Sequence, residues 1–147
     1  MILGLYHVNI NVTNLERSVA FYELLGYKVV DSFHEKGTPG LDKGLGLAYS
    51  DTHARFLALE HQQHETVLDL VEWVEPTLKT RAIELNEVGT PRICFRVKGL
   101  DEEISRLSSH GVEFLSEPQT IDTLQRKPRF VLFKDPDGLI LEFVELH

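Results

Sequence analysis

Two carboxylates stand among unlikely neighbours. Asp69 alternates with Val67, Val71 and Trp73, and Glu142 alternates with Ile140 and Val144. An acid set between apolar chains on one strand face is expensive to bury in its charged form without a partner. A divalent metal ion, the guanidinium of Arg92 or Arg96, or a proton on the acid itself supplies the compensation. Period-2 alternation predicts what else shares those faces. If Val8, Ile10 and Val12 pack inward, His7, Asn9 and Asn11 point the other way. By the same parity Arg92, Cys94 and Arg96 lie opposite Ile93, Phe95 and Val97. An imidazole, two amides, two guanidinium groups, a thiol and two acids are thus predicted on open sheet faces.

Other chemistry is weaker. Cys94 has no base beside it and reads as a small inert hydrophobe rather than a nucleophile. The run His61, Gln62, Gln63, His64, Glu65 lacks the zincin order and falls in a predicted turn, so it reads as an exposed loop. His34, His53, His110 and His147 are scattered and suggest nothing. Arg96 and Arg129 read as surface or rim charges. Trp73, Phe133 and Tyr49 are pocket candidates, although aromatics in strands are usually core. No glycine-rich phosphate loop, Ser-His-Asp arrangement or basic patch is visible.

The elements that would position these groups occur twice. Residues 7–30 slide onto 92–115 without a gap, placing Val12 on Val97, Leu15 on Leu100, Val19 on Ile104, Tyr22 on Leu107 and Gly26 on Gly111. The later halves match at a different offset: Arg55 and Phe56 fall on Arg129 and Phe130, and, after a one-residue change, residues 69–72 fall on 142–145. Each copy reads as a strand (5–12 and 92–97), a helix and three more strands (27–33, 55–60 and 66–74; 112–116, 129–134 and 139–146). The first helix is expected over about 14–25, with Thr13 and Glu16 as a capping box and Gly26 as its stop; Gly111 stops the second. Asp135, Pro136, Asp137 and Gly138 predict a tight turn. Residues 35–52 read as a long mobile loop. The predicted organisation is one α+β domain of two tandem βαβββ modules, 1–74 and 90–147, joined by a linker at 75–89. Together the modules are expected to form a cupped mixed β-sheet.

This double βαβββ pattern resembles the vicinal oxygen chelate superfamily, which includes glyoxalase I, extradiol dioxygenases, fosfomycin-resistance enzymes and bleomycin-binding proteins. The segments that carry it are LYHVNINV around His7, FYELLGYKV, VLDLVEW around Asp69 and FKDPDGLILEFVE around Glu142. The resemblance implies a divalent metal held by residues at His7, Asp69, Arg92 and Glu142. His7 and Glu142 match, and Asp69 is one methylene shorter than the usual Glu. Arg92 departs: it stands where the family's enzymes place His, and a guanidinium has no lone pair for a metal. With one histidine missing, an iron-dependent extradiol dioxygenase is disfavoured. His7, Asp69 and Glu142 are the expected ligands of any Mn, Mg, Ni or Zn ion. Alternatively Arg92 replaces the metal, forking between Asp69 and Glu142. The implied function is a glyoxalase-like lyase or isomerase with Glu142 and Asp69 as catalytic groups and Arg92, Asn9, Cys94 and Trp73 against the ligand. The alternative is a non-catalytic, drug- or metabolite-sequestering protein of the bleomycin-resistance type.

Composition narrows the setting. The chain has 147 residues, 42% of them hydrophobic and 26% charged, enough for a compact core. No apolar run nears the roughly 20 residues of a membrane helix, and the N-terminus lacks a secretory pattern. One cysteine makes no internal disulfide. A net charge of −8 is the wrong sign for a phosphate-backbone binder. A cytoplasmic homodimer with a small organic ligand, organic anions among the candidates, is expected, with no nucleic-acid or membrane partner.

Overall fold

The computed structural model describes residues 1–62, 66–123 and 125–146. The chain divides into two compact units, Met1–Thr80 and Arg81–His147. The first contains β1 (His7–Asn11), α1 (Leu15–Leu24), β2 (Tyr27–Lys36), α2 (Pro39–Leu45), β3 (Asp51–Leu59) and β4 (Val67–Glu75). The second contains β5 (Ile93–Arg96), α3 (Leu100–Ser108), β6 (Gln119–Thr120), β7 (Arg129–Lys134) and β8 (Ile140–Glu145). Each unit forms a four-stranded mixed sheet, in the orders β1-β4-β3-β2 and β5-β8-β7-β6. In each, the first strand pairs in parallel with the last, and the other neighbours are antiparallel. The internal repeat of the sequence is therefore a repeat of topology, in an α+β fold.

Apolar burial sets the face of each sheet that carries a helix. Ile10 and Val12 are buried with Leu15, Val19 and Tyr22 of α1, while His7, Asn9 and Asn11 are exposed. The parity read from the sequence holds. In the second unit the core joins Leu100 and Leu107 of α3 to Val131, Phe133, Leu141 and Phe143. Its rings pack tilted against one another, with centroids 4.7 Å apart for Phe133–Phe143 and 5.4 Å for Phe114–Phe133.

An arginine–acid tie is repeated on the helix side. Arg55 reaches Glu16 at 3.3 Å, and Arg129 reaches Asp101 at 2.7 Å. Arg129 is thus a surface charge that also ties β7 to α3. Glu145, at the end of β8, accepts hydrogen bonds from the backbone N–H groups of Gly99 (2.7 Å) and Leu100 (3.2 Å). Because Gly99 has no side chain to cap α3, this carboxylate satisfies the helix's first donors from another strand.

Three expectations need correction. Asn14, not Thr13, caps α1, its Oδ1 accepting from the Arg17 N–H at 2.9 Å; asparagine outranks threonine at that position. Residues 35–52 are not one loop. They hold the end of β2, all of α2 and the start of β3. The Pro and Gly residues taken as loop punctuation are helix punctuation: Pro39 opens α2, and Gly46, at φ +72, closes it. A buried hydrogen bond from Ser50 to Asp42 ties that helix to β3. Finally, residues 112–116 form no strand. They keep one bridge, Phe114 to Phe133, and the edge strand pairs only at Gln119–Thr120. Pro118, just before it, has no N–H for the ladder. The turn at 135–138 is as expected: Asp135 Oδ1 accepts from the N–H groups of Asp137 and Leu139.

Candidate functional site

The face of the first sheet turned away from α1 is built around Asp69. Parallel pairing sets Asn9 beside it, and Asn9 Nδ2 donates to Asp69 Oδ2 at 3.0 Å. Asp69 is only 9% exposed, and its second oxygen, Oδ1, is buried without a hydrogen-bond partner. Burial raises the Asp69 carboxyl above the usual range, opposed by the Asn9 bond and by nearby His7. Phe56 lies across from Asp69 in β3. Its ring stands 5.9 Å from that of His7 and 4.9 Å from that of Phe33. Trp73 Nε1 donates to Asn11 Oδ1 at 2.8 Å. The face is thus aromatic, with one acid in a dry position. Phe33 and Phe56 were not among the site residues expected from the sequence; only the strand register places them on this face.

The open face of the second sheet carries the counterparts. Arg92 Nε sits 2.8 Å from Glu142 Oε2; the Glu142 side chain is 12% exposed and that of Arg92 47%. Cys94 is paired with Glu142 across β5 and β8. Burial pushes its thiol up to about 11, reinforced by the charge and hydrogen bond of Glu142 and opposed by Arg92. His7, Asn9 and Asp69 in one unit thus correspond to Arg92, Cys94 and Glu142 in the other. In each set the middle residue hydrogen-bonds the acid.

Cys94 gives a direct check. At pH 8 a thiol titrating near 11 is ionised to about one part in a thousand. Cys94 is therefore expected to alkylate with iodoacetamide at least about tenfold more slowly than a free thiol, although it is exposed. Glu142→Gln removes the opposing charge and should accelerate the reaction. A wild-type rate equal to that of a free thiol would contradict the site's electrostatics.

The remaining candidates separate. Phe133 is fully buried and belongs to the core, and Tyr49 lies beside Gly37. His110 is exposed and bonds locally to the Arg106 carbonyl. Gln63, His64, Glu65 and His147 lie outside the described residues. His34 and His53, dismissed as scattered, face each other across β2 and β3 with ring centroids 4.1 Å apart. Only the cross-strand register could have found that pair.

Known proteins place the chain. The protein YaeR of Escherichia coli (strain K12), described as uncharacterized, is 29% identical over 141 residues, covering 95% of this chain and 94% of its own. A glyoxalase family protein of Bacillus cereus superposes with a TM-score of 0.84 at 21% identity, covering 99% of this chain and 95% of that one. The fosfomycin resistance protein FosX of Listeria monocytogenes, solved with Mn(II) and a sulfate ion, gives a TM-score of 0.60 at 21% identity, covering 99% and 93%. Identities this low carry the fold alone. A sequence model of the family matches residues 4–143, nearly the whole chain. The chain belongs to the Glyoxalase/Bleomycin resistance protein/Dioxygenase superfamily.

Proposed function

We propose that this chain binds and processes a small organic anion, and that in its second unit Arg92 supplies the positive charge that a metal ion supplies elsewhere in the superfamily. The contact of Arg92 Nε with Glu142 Oε2 at 2.8 Å carries this reading. A divalent ion at Glu142 would have to share that carboxylate with a permanent cation that offers no lone pair. The donors of the second unit therefore do not fit a metal. With Nε committed to Glu142, the terminal nitrogens of a half-exposed Arg92 are suited to a carboxylate-like ligand group. Asp69, whose neutral form burial favours, would hold or move a proton at Oδ1 in a glyoxalase-like isomerase or lyase. Sequestration without turnover is the variant of this reading in which Asp69 only binds. Asn9, Cys94 and Trp73 would contact the ligand, and a cytoplasmic homodimer completes the reading.

One observation favours a second reading. The partnerless Oδ1 of Asp69, with His7 nearby, suits an Mn²⁺ ion in the first unit.

Metal content of untagged protein and Mn²⁺ titration followed by thermal shift separate the two. The expected result is no Asp69-dependent metal in the wild type. Arg92→His should bring Mn²⁺ binding at least about tenfold tighter. Arg92→Leu should abolish the stabilisation given by hits from a screen of anionic metabolites. Stoichiometric Mn²⁺ that disappears in Asp69→Ala would replace the first reading by the second.

A further inference from the structure

We infer that the chain holds a second, separate cation site, formed by His34, Asp51 and His53, for a first-row divalent ion of the Zn²⁺ class. The three residues lie on the β2–β3 ribbon. The register pairs His34 with His53 and Lys36 with Asp51, so the four side chains form two adjacent cross-strand rows on one face. That face is the reverse of the one carrying Asp69. Asp69 is level with Phe56, and residues 52, 54 and 56 of β3 share its side, whereas His53 is level with Glu72 on the other. The site therefore uses none of the residues assigned above to the anion or to Asp69.

The atoms are nearly in place. One ligand atom from each residue lies within 4.8 Å of the other two. His34 Nε2 is 3.0 Å from Asp51 Oδ1. Ligand atoms around a tetrahedral zinc, at bond lengths of about 2.0–2.2 Å, lie roughly 3.3 Å from one another. The His34–Asp51 edge is close to that length, and rotation of His53 about its side-chain torsions closes the remainder. The two imidazoles are stacked, with planes only 20° apart, so the two rings lie next to one another at the site. Asp51 is almost fully buried, with 6% exposure, while the His34 side chain is half exposed. The arrangement thus has an anchored acid at the base and an approach from solvent. Three protein ligands leave a fourth position for water or a ligand. Imidazole with carboxylate selects ions of the zinc, nickel and copper group over Mg²⁺ or Ca²⁺.

Without the ion, Lys36 is the counter-charge: its Nζ lies 3.0 Å from Asp51 Oδ2. An arriving cation takes over that role at Oδ1 while the ammonium, on a largely exposed side chain, moves away. Lys36 thus competes with the metal and sets its affinity.

The test is calorimetric titration of the intact chain with Zn²⁺, in the wild type and in His34→Gln, His53→Gln, Lys36→Gln and Asp69→Ala. The expected result is one ion per chain, bound at least about tenfold more weakly in either histidine variant and more tightly in Lys36→Gln. Asp69→Ala should leave it unchanged. Zn²⁺ should also shift the imidazole resonances of His34 and His53 in the wild type, a readout that needs no variant to fold. Absence of binding, affinity indifferent to both histidine variants, or loss in Asp69→Ala would each overturn the site. Failure here leaves the Arg92 reading standing, because that reading is tested with Mn²⁺ on the opposite face of this unit and in the other unit.

Discussion

Phe133→Ala is expected to remove about 3–5 kcal/mol of stability, a large share of the roughly 5–15 kcal/mol a domain possesses. Phe133 is wholly buried, and its ring contacts Phe143 and Phe114. The rings around it relax only partly into the space, so the cavity cost adds to the lost transfer energy. The position also bears on function. Phe133 is paired with Leu141, the residue before Glu142, and packs the face of β7 and β8 opposite to that acid. Loosening it frees the strand that holds Glu142 against Arg92. Urea unfolding should show a lower midpoint with an unchanged slope. Hydrogen exchange should quicken in β5, β7, β8 and α3 more than in the first unit. A loss below about 1 kcal/mol would mean that the second unit's core is not centred on this ring.

Much of this was legible because it is local or repeated. Alternation in residues 7–12 placed His7 and Asn9 on one face of the first strand, and its copy at 92–97 placed Arg92 and Cys94 on one face of theirs, since side-chain direction follows from strand parity alone. The pairing of Arg92 with Glu142 was foreseeable from an acid among apolar neighbours that needs a cation. What was missed depends on register between distant segments. Nothing near His34 announces His53, and their contact arises only because β2 and β3 pair over their full length. The same holds for Glu145, whose capping of α3 joins residues over forty positions apart. The errors at residues 35–52 and 112–116 are of another kind. Gly and Pro mark breaks, and whether a break ends a helix or opens a loop is decided by packing, here the burial of Asp42 and Ser50.

Asp69→Asn is expected to stabilise the protein by about 1 kcal/mol or more at pH 7, and to do so only above the acid range. The carboxyl has a raised pKa in the folded chain because burial outweighs the help of Asn9 and His7. The folded state therefore holds the proton more tightly than the unfolded state. A group of that kind favours folding while it is protonated, and the benefit fades as pH rises from the ordinary aspartate value of 3.8 through the raised folded value. At neutral pH the wild type keeps a charge on a buried carboxylate with one oxygen unpartnered. Asparagine keeps an acceptor for Asn9 and leaves at most a neutral group unsatisfied, which costs less than the charge. The difference between the two unfolding curves should thus be near zero at low pH and grow to a plateau. Asp51 and Asp101, held low by Lys36 and Arg129, lose their stabilisation as pH falls, but they do so in both proteins and cancel in the difference. A wild type more stable than Asp69→Asn at pH 7 without added metal would show that Oδ1 has found a partner. If that order appears only when Mn²⁺ is present, the partner is the ion, and the first unit by itself holds the metal that Arg92 was inferred to replace.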